Sequence, residues 1–262
     1  MYPHISLALA FASTFLRVKA TPLPVANPTP ELELLRRQGL ATVYDSCTVP
    51  NTVAITFDDG PYIYESEIVD YLDSQGVKAT FFVNGNNWRC IYDDGAVSSL
   101  KKAFASGHQI GSHTWAHLDL SQQSWDKIHD EMWRVELALT RILGVSPAFM
   151  RPPYGNYNDL VRQASSIRGQ SLVLWDFDSG DSVGASVQES ENNYSQVANQ
   201  RPDTLLALNH ETYETTARQV IEFAIPLLKS KGYNLVTVAE CLGQNPYQFQ
   251  QAPQSRDSSW TC

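Results

Sequence analysis

Two adjacent carboxylates, Asp58 and Asp59, close the apolar run VAITF and lead into Gly60 and Pro61. Like charges side by side repel, so a cation is the first candidate for what holds them together. A second group with suitable chemistry lies in GSHTWAHLDL, where His113 and His117 are spaced i, i+4. On one helical turn that spacing points both imidazoles the same way and lets them share an ion. One carboxylate and two histidines leave positions open for water and substrate, the pattern of a catalytic metal. With no cysteine in the set, the donors suit one divalent Zn2+, Co2+ or Ni2+ ion, and availability favours zinc. The second aspartate is then free to act as a base, because coordination lowers the pKa of water from about 15.7 toward 7. Alone, Asp-Asp-Gly is a plain turn and the histidine pair is surface or core decoration. Side by side on one rim they point to metal-assisted hydrolysis.

Two more groups fit that chemistry. In RPPYG, Arg151 follows an apolar strand and can pair with a carboxylate, while the prolines fix a turn able to aim N–H groups at a developing oxyanion. Neutralising a crowd of aspartates is the plainer role for Arg151. His210 ends the apolar run LLALN and reads either as a buried, satisfied histidine or as a general acid. As an acid it needs an acidic partner such as Asp181 or Asp178. His108 and His129 carry no role.

These residues must be brought together by the fold. Strand-like runs at 53–57, 79–83, 109–112, 148–150, 171–175, 205–209 and 234–238 alternate with helical patterns at 65–75, 96–106, 121–143, 157–168 and 214–231. The longest helical stretch opens on Ser121 as a cap and closes on Gly144. Seven buried strands with crossovers predict an α/β fold, a distorted and incomplete (β/α) barrel of about seven parallel strands with outer helices. Asp58 and Asp59, His113 and His117, Arg151, Asp176, Asp178 and Asp181, and His210 then all follow strands. They share the C-terminal rim, where such folds build active sites.

The chain has 262 residues, 43% hydrophobic, enough for one sizeable domain. Its formal charge of −9 argues against nucleic acid or anionic membrane as a partner. Residues 1–20 read as an export signal, with a short membrane anchor as the alternative. A Pro-rich linker or propeptide (21–46), the main domain (47–243) and a loose Gln- and Ser-rich tail (244–262) complete the expected organisation. Four cysteines, Cys47, Cys90, Cys241 and Cys262, suit an oxidising compartment and two disulfides. Of three connectivities, Cys47 with Cys241 would tie the ends of the barrel together, leaving Cys90 with Cys262 to pin the tail. Asn193-Tyr194-Ser195 is a glycosylation sequon.

The ordered motifs TFDDG, HTWAH, RPPYG, WDFDSGD and LLALNHE resemble the signature motifs of the polysaccharide deacetylases of carbohydrate esterase family 4, the NodB-homology group. Among these the secreted fungal chitin deacetylases are most similar, and the resemblance covers about 47–243. It implies a barrel with fewer than eight strands and hydrolysis of N-acetyl groups on N-acetylglucosamine units of chitin or chitooligosaccharides. It further implies Asp59, His113 and His117 as metal ligands, Asp58 as base, Arg151 as its orienting partner and His210 as acid tuned by Asp181. The Tyr154 backbone N–H would stabilise the oxyanion, and Leu208 and Trp175 would line the substrate pocket. Many members carry Trp or Tyr where this chain has Ser182, a position that bears on the acetyl pocket. Tyr62, Tyr64, Trp88 and Trp115 are candidates for stacking on sugar rings or for packing. A monomeric, exported enzyme free of the membrane after signal removal is the expectation. Acetylxylan or peptidoglycan are substrate alternatives, and a non-haem iron oxygenase or a non-catalytic carbohydrate-binding protein are alternatives of other classes.

Overall fold

The computed structural model describes residues 39–262; the expected export signal and most of the Pro-rich stretch lie outside the described residues. The organising strand is β2 (Thr52–Gly60), nine residues of mainly β-branched and aromatic sequence. Alternate side chains of a strand take opposite faces. Val53, Ile55 and Phe57 accordingly pack outward in the cluster shared with the helices. Ala54 faces inward into a second, smaller core with Phe82, Phe149, Val173 and Leu206. Thr56 and Asp58 continue the inward series, which turns from apolar to polar as the strand climbs.

Around β2 lie β1 (Val43–Tyr44), β3 (Thr80–Val83), β4 (Gln109–Ser112), β6 (Phe149–Met150), β7 (Ser171–Val173), β8 (Phe177–Asp178), β9 (Thr204–His210) and β10 (Asn234–Val236). Their order is β1-β7-β6-β4-β3-β2-β9-β8, with β10 also on β2, nine strands in one sheet. Every pairing in it is parallel. The path is open between β1 and β8, so the sheet is a curled, incomplete barrel. All seven expected strands are present. The two additional ones, β1 and β8, are two residues each, too short to leave an alternating pattern.

Outside the sheet run α1 (Glu65–Gln75), α2 (Asp94–Ala105), α3 (Trp125–Leu143), α4 (Asp159–Ile167), α5 (Val187–Gln200), α6 (Ile221–Ser230) and α7 (Val238–Cys241). The cap of α3 is Ser124, which accepts from Lys127 N, and not Ser121, which falls in a preceding 3-10 turn. Helix α5 has no sequence precursor above: VQESENNYSQVANQ is polar, and only Ser190, Tyr194 and Ala198 are buried. A reciprocal Ser186–Glu189 capping box starts it.

The tail is not loose. Tyr247–Gln250 forms β11, antiparallel to β5 (Val145–Pro147). Trp260 is buried with its ring 5.5 Å from that of Tyr92. The disulfides are Cys47–Cys241 and Cys90–Cys262, with Cα separations of 5.2 and 5.9 Å. No described helix is long and apolar enough to cross a membrane.

Candidate active site

The polar end of the inner core is built on Arg151, whose side chain is fully buried directly after β6. A buried guanidinium demands partners for its N–H groups, and it has them. Nη1 donates to Asp58 Oδ1 at 2.8 Å and Thr56 Oγ1 at 2.6 Å; Nε and Nη2 donate to the carbonyls of Val173 and Leu174. Its plane lies over the Phe82 ring, 4.4 Å from the centroid. Asp58 is therefore held from below by a cation that itself cannot move. Burial pushes the Asp58 carboxyl upward, and Arg151, His210 and His117 partly offset that.

Asp59 turns the other way because its backbone is left-handed, φ 73°. Its Oδ1 lies 3.3 Å from His117 Nε2 and 3.7 Å from His113 Nε2. Asp59, His113 and His117 each bring one ligand atom within 4.8 Å of the others. Ligands about 2.0–2.2 Å from one tetrahedral ion lie about 3.3–3.6 Å apart, close to the two Asp59–histidine separations. His113 Nδ1 meets the Arg151 carbonyl at 2.7 Å, which leaves Nε2 as the ligating atom. Burial first, then the neighbouring His117, lowers His113 to about 3, so its imidazole is neutral and able to ligate at ordinary pH.

The histidines do not sit on a helical turn. HTWAH is a loop in which Thr114 (φ 70°) and His117 (φ 53°) are both left-handed. Asn84 Nδ2 and Gly85 N donate to the Thr114 carbonyl, Asn86 N to that of Trp115, and Ala116 N to the buried Glu131. These bonds coil the loop so that the two imidazole centroids are 4.9 Å apart.

Across the site, β9 pairs with β2 so that His210 stands beside Asp58 in register. Asp181 receives three hydrogen bonds: His210 N at 2.7 Å, His210 Nδ1 at 2.8 Å and Thr216 Oγ1 at 2.7 Å. Thr216 opens the π-helical turn Thr216–Val220 that precedes α6, the kind of irregularity that often marks functional sites. Burial lowers the His210 pKa, but the hydrogen bond and charge of Asp181, with Asp58 and Asp59 beyond, raise it to about 9. His210 thus carries a proton at neutral pH and keeps Nε2 for the cavity.

Asp58, Asp59, His113, His117, Tyr154, Trp175, Leu208 and His210 line one cleft of about 410 Å³, with Pro152, Asp178, Ser182 and Val183. Tyr154, left-handed at φ 61°, is largely exposed and sets its ring 4.7 Å from that of His117. Leu208 is buried in the wall, following the inward series of β9.

The other candidates serve other contacts, and of them only Asp178 also borders the cleft. Asp176 accepts from Leu206 N and Asp178 from Gly180 N, so both brace backbone. Trp115 is buried against Gly85 and under Arg134, a packing residue; Trp88 is exposed beside Tyr62, centroids 5.5 Å apart. Asn193 is half-buried in α5, its Nδ2 donating to the Ser179 carbonyl. Thr56, Thr216, Asn84 and Glu131 support the site without having drawn notice in the sequence. Only Thr56 carried a signal, two residues before Asp58 on the same strand face.

The family model for polysaccharide deacetylases matches residues 45–173. A chitin deacetylase of Pestalotiopsis sp. is 39% identical over 224 residues, covering 83% of this chain and 72% of that one. The chitin deacetylase of Colletotrichum lindemuthianum is 36% identical over 234 residues, covering 87% and 94%. The solved structure of a chitin deacetylase from that fungal pathogen superposes with a TM-score of 0.76 at 32% identity, over 81% of this chain and 96% of the other. The chain belongs to the polysaccharide deacetylase family. It is an enzyme of the amide-hydrolysing deacetylase type, with a candidate metal group of one aspartate and two histidines.

Proposed function

We propose that this chain is an exported, monomeric chitin deacetylase that hydrolyses the N-acetyl groups of N-acetylglucosamine units in chitin or its oligomers, releasing acetate and leaving glucosamine. The observation that carries this reading is the pairing of Asp58 with His210 in register across two strands, directly beside the Asp59, His113, His117 cluster. An amide is a poor electrophile and its amine a poor leaving group, so hydrolysis calls for a base and an acid on one carbonyl. Asp59, His113 and His117 would hold the divalent ion, with zinc favoured. When bound, that ion polarises the carbonyl and acidifies water.

Asp58 is the base: it pairs with Arg151 at 2.8 Å, while burial raises its carboxyl above the ordinary value, the direction that favours accepting a proton. His210 is the acid: its Nδ1 is committed to Asp181, and its remaining nitrogen delivers a proton to the departing amine. The Tyr154 N–H would donate to the developing oxyanion. Leu208 and Trp175, apolar and on the cleft wall, would receive the acetyl methyl. Two disulfides suit an exported protein. The similarity to chitin deacetylases along most of the chain supports chitin as the substrate.

The test is acetate release from chitin oligomers, acetylxylan and peptidoglycan by the purified protein, with chelation and zinc add-back. The reading expects release from the chitin oligomers that is lost on chelation and restored by zinc. Release confined to either other polymer would overturn the substrate, and release indifferent to chelation would overturn the metal.

A further inference from the structure

Behind the candidate metal ligands lies a feature that the chemistry above does not use. Glu211 follows His210 and, in the alternation of β9, faces outward beneath the turn at Asp59–Tyr62. Its side chain is completely buried, and so is that of Glu65, the first residue of α1. One oxygen of each, Oε2 of Glu211 and Oε1 of Glu65, has no hydrogen-bond partner. Burying carboxyls this way is costly, so such a pair survives only where the rest of the structure gains from it.

What Glu211 touches shows that gain. Its Oε1 accepts the Tyr62 N–H at 2.7 Å, and its own N–H donates to the Asp58 carbonyl at 3.2 Å. A Cβ on Gly60 would lie 2.2 Å from Glu211 Oε1 and 2.3 Å from its carboxyl carbon. Gly60 is thus glycine because the Glu211 carboxyl fills the space where a side chain would start. The carboxyl and the turn lock each other on both sides of the left-handed Asp59.

We propose that Glu211 is a positioning residue for the metal site: wedged under Gly60 and accepting the Tyr62 N–H, it holds the turn in the form that aims Asp59 at the two imidazoles. Burial, and then the charge of Glu65, raise the Glu211 pKa well above that of an ordinary carboxyl, in keeping with a side chain that serves as a neutral or proton-sharing wedge. The inference rests on Asp59 being a metal ligand, as proposed above.

The test is Zn2+ titration by calorimetry of the metal-free wild type, Asp59→Ala, Glu211→Leu, Glu211→Gln and Gly60→Ala, with thermal melts and kcat and KM at saturating zinc. Groups that orient metal ligands typically alter affinity about 10- to 100-fold. Glu211→Leu, which removes the acceptor, and Gly60→Ala, which pushes the carboxyl aside, are each expected to weaken zinc binding by about that much, with KM little changed. Glu211→Gln keeps an acceptor of the same shape and is expected to retain wild-type affinity. Where Glu211→Leu does not fold, Gly60→Ala and Glu211→Gln decide. Wild-type affinity in folded Gly60→Ala, or a loss in Glu211→Gln as large as in Gly60→Ala, overturns the positioning role. If Asp59→Ala binds zinc as wild type does, the metal-site reading itself fails, a separate result.

Discussion

The two ends of the sheet use left-handed backbone in different proportions. At the base, where helices return to strands, Gly76, Gly107, Gly144, Gly169 and Gly232 all carry positive φ. Glycine adopts that conformation without steric cost. At the rim the same conformation falls on Asp59, Thr114, His117 and Tyr154, four of the six non-glycine residues that adopt it in the described chain. All four lie in the candidate site or in the loop that carries its histidines. For a β-branched residue such as Thr114 it is a true outlier. Strain of this kind persists only where surrounding bonds over-determine it, as the bonds from Asn84 and Gly85 to the Thr114 carbonyl do here. The base makes most of these turns with glycine, Asn51 and Arg201 excepted; the rim uses Gly155, Gly180 and Gly184 but at four positions keeps a side chain and bears the strain.

The strongest way to break this contrast is to show that a rim residue is structural after all. Asp58→Asn is expected to lower acetate release by roughly 10²- to 10⁴-fold while zinc affinity stays near wild type; its melting temperature should fall, because the buried Arg151 loses its carboxylate partner. Normal turnover in that variant would remove Asp58 as the base.

The rim also has a pH signature. His210 must be protonated to act as acid, so activity should fall about tenfold per pH unit once pH exceeds about 9. Asp181→Asn should move that limb downward, because the partner that raises His210 is gone. In the metal-free protein the same groups set stability. His113, depressed when folded to about 3 against an unfolded value near 6.5, costs stability as pH falls from about 6.5 toward 3. His210, raised to about 9, contributes fully below about 6.5, and its contribution is lost as pH rises toward 9. Denaturant melts of the chelated protein should therefore show these two histidines favouring a maximum near pH 6.5.

At the base, replacing Cys47 and Cys241 together by serine is expected to cost roughly 2–5 kcal/mol of stability. Activity of the folded fraction should persist, which chemical denaturation and an acetate assay would check. The finest comparison sets Thr114→Gly against Gly232→Ala. The first relieves rim strain and should stabilise by roughly 0.5–1 kcal/mol while weakening zinc binding. The second places a Cβ in open space at φ 79° and should destabilise by about 1 kcal/mol with activity unchanged. Equal behaviour of the two variants would erase the distinction.

The same contrast explains what could be read without coordinates. Strands such as TVAITF and TLLALNH announce themselves through long apolar or β-branched runs, and their polar ends mark Asp58, Asp59 and His210. The histidine loop does not, because i, i+4 spacing carries no trace of the left-handed residues that coil HTWAH. Helix α5 hides for a different reason: its inner face is a thin stripe of Val187, Tyr194, Val197 and Ala198 set in an otherwise polar sequence. The strand β11 is equally silent, because it exists only through its pairing with β5. Thr216 reaches Asp181 from a π-helical turn, a placement that no linear pattern encodes.

The pairing of β2 with β9 runs through seven consecutive positions and ends on Asp58 beside His210. The proposed proton donor and acceptor are thereby spaced by the backbone ladder itself. On the proposed reading, insertions or exchanges around the mouth of the cleft can then retune which glycan is admitted without disturbing this pair. Chemistry and selectivity in this scaffold are free to diverge at different rates.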